Sequence, residues 1–305
     1  MTSQASILVT GAGGGVGNVS GMVVRLLRRR DLPVRAMVHH DDERAEPLRA
    51  AGAEVVVGDL TDPADVARAL HGCGRMFFSM SVSPSYLEAT ARVASVAVAL
   101  GSLEALVNMS QMTVSQMTAL STDESRQQRL HFLSEQVLDW SPLPVVHIRP
   151  TMFLENPMLT VLSARSVAER GVLRLPFGTG RTSPVAAADV ARVVATVLED
   201  PGPHIGQVYE LTGPRAQDLH GVATEYSRAL GRPVTYEDVP LATWTKEIAA
   251  AGLPPHVEQH LVTMAGLHRL NRYDRSTDTI EQITGKPAQT VEEFVAARAD
   301  LFNGG

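Results

Sequence analysis

The sequence predicts a doubly wound α/β fold, a parallel sheet with helices on both faces, followed by a smaller and mostly helical C-terminal lobe. Three observations carry this. Short β-branched runs alternate with helical stretches through the first half of the chain. A glycine-rich segment, Thr10-Gly11-Ala12-Gly13-Gly14-Gly15-Val16-Gly17, joins the first such run to the first helical stretch. After Pro150 the alternation stops and the chain becomes rich in Met, Phe and Leu.

Taken in order, Ser6–Thr10 reads as the first strand and Val16–Arg30 as the first helix. Strands are expected at Val34–Val38, Glu54–Val57, Arg75–Met80, Leu103–Met109 and Val145–Arg149. Helices over Ala64–Leu70, Tyr86–Leu100 and about Gln127–Trp140 separate them. Beyond Pro150, a helix ends at Arg170 and a Gly/Pro-rich loop covers Pro176–Pro184. Asp189–Leu198 then reads as a helix, Val208–Thr212 as a late strand and Pro233–Val239 as an extended piece. The remainder is mostly helical and more polar. These elements divide the chain into a core of residues 1–150, with 186–235 returning to it, and a substrate lobe built from 151–185 and 236–305.

The bulk properties exclude several classes. With 305 residues, 44% hydrophobic, the chain can bury a sizeable core. Its formal net charge of −6 argues against a nucleic-acid backbone as partner. The one dense basic run, Arg28-Arg29-Arg30, closes a helix, where cations complement the dipole. Cys73 is the only cysteine, so no internal disulfide forms, which fits a reducing compartment. No apolar run reaches the ~20 residues of a membrane span, and no signal peptide opens the sequence. A cytoplasmic protein is therefore expected, with a hydrophobic small molecule as partner and a homodimer left open. No metal site is expected: His39 and His40 are adjacent, and in a strand they point to opposite faces.

The spacing Gly11-x-x-Gly14-x-x-Gly17 supplies what a dinucleotide pyrophosphate needs. Gly11 permits a tight turn, Gly14 lets the backbone approach the phosphates, and Gly17 allows close packing of the helix. The helix N-terminus adds free N–H donors. Gly58-Asp59-Leu60-Thr61-Asp62, after the third strand, puts a carboxylate near the adenine side, although Asp62 is equally a cap before Pro63. The coenzyme is set near the end of the second strand, where an acid would bond a ribose 2′-hydroxyl and a base a 2′-phosphate. That strand ends in His39-His40, followed by Asp41, Asp42, Glu43 and Arg44. The missing acid at the strand end leans towards NADP(H) over NAD(H), with Arg44 counted among the coenzyme-binding residues, while the nearby carboxylates argue the other way.

The ordered blocks TGAGGGVG, GDLTDPADVARAL, LVNMS, HFLSEQVL, HIRPTMFLEN, RTSPVAAADVARVVATVLEDP and GQVYELTGP resemble the NmrA-like family of atypical short-chain dehydrogenases/reductases, from Ile7 to about Pro240. The resemblance implies a Rossmann core with NAD(P) in its cleft and a small substrate lobe. By position, it implies that Thr10, Gly11, Gly14, Val16 and Gly17 hold the pyrophosphate. His39 stands where the family often has Arg, Asp59 and Leu60 flank the adenine, and Ser79, Met80 and Ser81 line the nicotinamide ribose. Ser110 falls at the superfamily's catalytic serine. The superfamily's Tyr-x-x-x-Lys is replaced by Gln127-x-x-x-His131, and many NmrA-like proteins also lack the pair.

Two catalytic candidates follow, His131 and Ser110. A near-neutral imidazole at His131 suits proton transfer; packing at the cleft, or a bond to the ribose in place of Lys, weighs equally. Met80, Met109, Met112, Phe153, Met158 and Phe177 suggest an apolar pocket, and Asn156 could contact substrate or cap the chain before Pro157. The function expected first is an NAD(P)H-dependent reductase of a hydrophobic aromatic, quinone-type or conjugated carbonyl molecule. The alternatives are a non-catalytic NAD(P) redox sensor and, behind it, an isomerase or cyclase that uses bound coenzyme structurally.

Overall fold

A computed structural model describes residues 5–14 and 17–303. Among them, seven strands form one sheet: β1 (Ser6–Val9), β2 (Val34–Val38), β3 (Glu54–Val57), β4 (Cys73–Phe78), β5 (Ala105–Met109), β6 (Val145–Pro150) and β8 (Val208–Leu211). Their order is β3-β2-β1-β4-β5-β6-β8 and every pairing is parallel. The doubly wound fold read from the sequence is the fold observed. Strand order reverses between β1 and β4, the point at which crossover loops diverge and leave a crevice at the carboxyl ends of the strands.

The two faces are covered as the alternation requires. Helices α1 (Val19–Arg28) and α7 (Ala187–Glu199) lie on one face. Val190, Val193, Val194, Val197 and Leu198 of α7 are all fully buried there against Val23, Val24 and Leu27 of α1. Each such side chain contributes about 1.5–3 kcal/mol relative to exposure. Helices α3 (Pro63–Leu70), α4 (Tyr86–Leu100) and α5 (Arg126–Asp139) cover the other face through Leu70, Tyr86, Val93 and Leu138. The short α2 (Glu46–Ala50) follows β2. Helix α1 begins later than the pattern suggests because Gly17 and Asn18 both adopt positive φ, 64° and 43°, which no continuing helix tolerates. Asp62 caps α3, accepting from the Ala64 and Asp65 amides at 2.7 and 3.2 Å, so its local role accounts for it.

The lobe holds α6 (Ala164–Arg170), β7 (Val172–Leu175), α8 (Leu219–Leu230), β9 (Thr235–Asp238), α9 (Leu241–Ala250) and α10 (Pro255–Arg269), with α12 (Val291–Ala296) and α13 (Ala299–Asn303). β7, which the Gly/Pro-rich surroundings obscure in the sequence, pairs in parallel with β9. The packing departs from the expected boundary in two places. Leu219, Val222 and Tyr226 of α8 join the lobe's apolar cluster, not the core's. Ile280, on α11 (Thr279–Thr284), returns to the core beside α7. Among the described residues, no helix is long and apolar enough to cross a membrane.

Candidate active site

The glycine loop is built by steric necessity. Gly11 has φ +66°, and a Cβ there would lie 2.6 Å from the Ser79 carbonyl oxygen. Thr10 ties the loop to the end of β4: its Oγ1 donates to Ser79 O at 2.9 Å and accepts from Ser79 N–H at 3.0 Å. Gly14 N–H donates to Gly11 O at 2.9 Å, and a Cβ at Gly14 would press on that same oxygen. Gly17 packs against the N-terminus of α7, where a Cβ would sit 2.7 Å from Ala187 Cβ; the close contact is from the turn before α1 to α7, not from helix to strand. Asn18 caps α1 by accepting from Gly21 N–H at 3.1 Å. Val16 lies outside the described residues.

Beyond the end of β2, Arg44 reaches back to the loop, donating to Gly13 O at 3.2 Å. Its guanidinium also grips both oxygens of Asp42 at 3.0 Å, which holds that carboxyl down at about 2. Asp41 is taken by Arg49 at 2.7 Å. Two of the carboxylates expected to oppose a 2′-phosphate are thus already paired. His39 Nε2 stands 3.7 Å from Asp59 Oδ2. Asp59 accepts from the Thr61 amide and hydroxyl, both at 2.8 Å, and these bonds lower its pKa. Leu60 packs partly buried on the core beneath.

From the loop a cleft of about 460 Å³ runs under the lobe. Gly11, Gly14, Ser79, Met80, Ser81 and Ser110 line it, as do Met112, Gln127, His131, Phe153 and Asn156. Asn156 also makes the local turn bond, accepting from Met158 N–H at 2.9 Å. Met158 and Phe177 are a correction: both are fully buried in the lobe's apolar cluster and neither reaches the cleft. Phe177 stacks on His268 at 3.9 Å, and His268 on Tyr273 at 3.8 Å, so Phe177 stands behind the cleft wall.

The geometry assigns His131 a definite protonation. Ser83 N–H donates to Gln127 Oε1 at 3.1 Å, which orients the amide. Gln127 Nε2, 3.2 Å from His131 Nε2, therefore donates to it and leaves the ring proton on Nδ1. Burial drives the imidazole down to about 3, with His260 adding a smaller push. Burial thus favours an uncharged ring, the packed alternative weighed for His131, over a near-neutral acid–base; the ring lies 4.2 Å from the Tyr86 ring. The Tyr86 hydroxyl is itself committed to Met109 O at 2.8 Å.

Sequence reasoning missed the roof. Leu253, Val257, His260, Leu261 and Met264, from α10 and the turn before it, close the cleft with Tyr273. The spacing of Val257, Leu261 and Met264 is one helical stripe, a signal present in the sequence but without a motif to distinguish it. Two bonds latch α10 to the start of α5: His260 Nδ1 to Ser125 Oγ at 2.8 Å and Arg126 N–H to Gln259 Oε1 at 3.1 Å.

The residues fit a dinucleotide. The loop holds the backbone open at the helix mouth, and four residues lining the cleft carry a buried polar atom with no partner among the described residues: Ser110 Oγ, Gln111 Nε2, His131 Nδ1 and Thr151 Oγ1. No group of three metal-ligating side chains occurs among the described residues. A doubly wound sheet, a glycine turn at its switch point and an apolar cleft beyond it define a Rossmann dinucleotide-binding protein.

The chain belongs to the NAD(P)H-binding family, whose model matches residues 11–201, in agreement with the NmrA-like resemblance of its motifs. It is 32% identical over 302 residues to the (4-alkanoyl-5-oxo-2,5-dihydrofuran-3-yl)methyl phosphate reductase of Streptomyces griseus, covering 97% of this chain and 99% of that one. It is 29% identical over 290 residues to the NAD(P)H azoreductase of Xenophilus azovorans, covering 95% and 97%. Among solved structures it resembles the NADPH-dependent quinone oxidoreductase of Escherichia coli complexed with NADPH, with a TM-score of 0.81, 25% identity and coverage of 96% and 99%.

Proposed function

We propose that this chain is an NAD(P)H-dependent reductase of hydrophobic aromatic, quinone-type or conjugated carbonyl acceptors, with NADP(H) its preferred coenzyme. The observation that carries the reading is a glycine loop opening directly into an apolar cleft whose wall holds unsatisfied polar atoms. The names of the three similar proteins given above, two reductases and a quinone oxidoreductase, support it. The reduced coenzyme, when bound, supplies a hydride. The chain's part is placement and exclusion of water: Met80, Met112, Phe153 and Met264 wall the reacting end, and His131 offers a neutral N–H.

Gln127 and His131 stand where the wider superfamily has Tyr and Lys, and neither gives up a proton readily at pH 7. The proton that completes the reduction then comes from water, which suits acceptors whose reduced form is a stabilised anion, as with quinones. The same pair favours the redox-sensor alternative, in which coenzyme binds and nothing is reduced. Following NADPH oxidation against a panel of quinones, azo dyes and enones decides between them. Saturable turnover is expected; coenzyme binding with no turnover on any acceptor supports the sensor and removes the reductase.

A further inference from the structure

The reductase reading leaves the acceptor's charge open, and the wall of the cleft bears on it. Among the described residues that line the cleft there is no Asp, Glu, Lys or Arg. Of the charged residues close in sequence to the lining, Arg126 is exposed to solvent, and three carboxylates each have a partner. Glu155, next to the lining residue Asn156, accepts from Ala187 N–H at 3.0 Å and lies 3.7 Å from Arg298. Glu124 pairs with Arg272 at 2.9 Å behind the loop that follows β5, and Glu135 is held by Arg149 behind α5.

The two histidines on the wall are uncharged for the same reason that the rest is apolar: burial lowers His131 to about 3 and His260 to about 4. His260 is the polar group on the face that α10 turns to the cleft. Ser125 Oγ accepts the Gln128 amide at 3.1 Å and, among the described residues, has no acceptor for its own proton other than His260 Nδ1 at 2.8 Å; with that proton given to Nδ1, the ring N–H that His260 can offer a ligand is on Nε2.

We propose that the cleft selects acceptors that are uncharged at the reacting end, and that His260 receives the acceptor's oxygen through its Nε2–H. This rests on the reductase reading and narrows it. A carboxylate, phosphate or sulfonate group on the acceptor would lose its water and meet no cation, whereas a carbonyl oxygen needs only a neutral donor. The chain would then differ from its Streptomyces griseus relative, named for a phosphate-bearing compound.

The test is calorimetric titration of the NADPH-loaded protein, whose dihydronicotinamide ring is uncharged, with naphthalene-2-sulfonate and with 2-(methylsulfonyl)naphthalene, matched in bulk but uncharged, neither of which carries a group that a hydride reduces. The sulfone is expected to bind at least about tenfold more tightly, the least that an unpaired buried charge costs. His260→Arg is expected to reverse the order, and Met264→Arg, one turn along α10, serves the same purpose if the first variant does not fold. Equal binding of the two probes by the native protein overturns the proposal, as does binding of neither, or folded Arg variants that still reject the sulfonate. A protein that binds the sulfone yet oxidises no NADPH with any acceptor loses the reductase reading alone; one that turns over quinones but treats both probes alike loses only this inference.

Discussion

At the scale of single residues, the strongest constraint is Gly11. Its positive φ and the carbonyl of Ser79 within 2.6 Å of a would-be Cβ leave no room for a side chain. Gly11→Ala is expected to cost about 1–3 kcal/mol of stability and to abolish measurable coenzyme binding, read by thermal melting and by NADPH fluorescence titration. Arg44 is the residue proposed to set the coenzyme preference, because it is bonded to the loop itself, through Gly13 O. Arg44→Ala is expected to weaken NADP(H) at least about tenfold, the size of one lost charge-assisted contact, with NAD(H) affinity unchanged; parallel titrations of both coenzymes check it. His131 shows what sequence reading leaves open, here between proton transfer and packing at the cleft. An isolated imidazole titrates near neutrality, and only the fold reveals that this one is buried against Tyr86.

At the scale of elements, the junction of α5 with α10 holds the roof over the acceptor. Ser125 serves two ends: it caps α5 in a reciprocal box with Gln128, and it anchors His260. Ser125→Ala is expected to lower stability by about 1–2 kcal/mol and to raise the acceptor's KM with coenzyme affinity unchanged, seen by urea unfolding and steady-state kinetics. The contrast between this junction and the glycine loop explains what was legible in advance. The loop, the alternating strands and the late DVARVVATVL helix announce themselves through local periodicity and backbone demand, which sequence carries directly. That Ser79, Met80, Ser81 and Ser110 share one cleft was implied by the family resemblance, and Phe153's place there by its apolar surroundings. The roof was not, because Val257, Leu261 and Met264 are ordinary apolar helix positions whose partner is distant in sequence. Met158 and Phe177 failed for the converse reason: composition cannot say whether a large apolar side chain faces a cleft or a core, and here both face the core.

At the scale of the molecule, buried histidines govern acid sensitivity. His131, His260 and His268 are held down by burial at about 3, 4 and 3. In the unfolded chain each titrates near 6.5. The unfolded state therefore binds protons that the folded state refuses, and stability is full above about pH 6.5 and falls as pH drops from there towards 4. The slope approaches about 1.4 kcal/mol per pH unit for each histidine. Urea midpoints measured between pH 8 and 4.5 are expected to show this decline. His268→Phe, which keeps the stack between Phe177 and Tyr273, is expected to make it shallower; an unchanged slope in a folded variant would remove His268 from the account.

The return of Ile280 from the lobe to the core has a consequence of another kind. The chain leaves the sheet after β6, comes back for α7 and β8, departs again for α8 to α10, and returns once more at α11 before its last helices. A chain cut short at Pro150 would therefore lack the helix that shelters α1 and one edge of the sheet. Limited proteolysis should release no stable nucleotide-binding fragment. Woven in this way, the molecule cannot acquire a new specificity by exchanging its lobe as a cassette. A change of acceptor in this chain is expected to come from single side chains along the cleft wall.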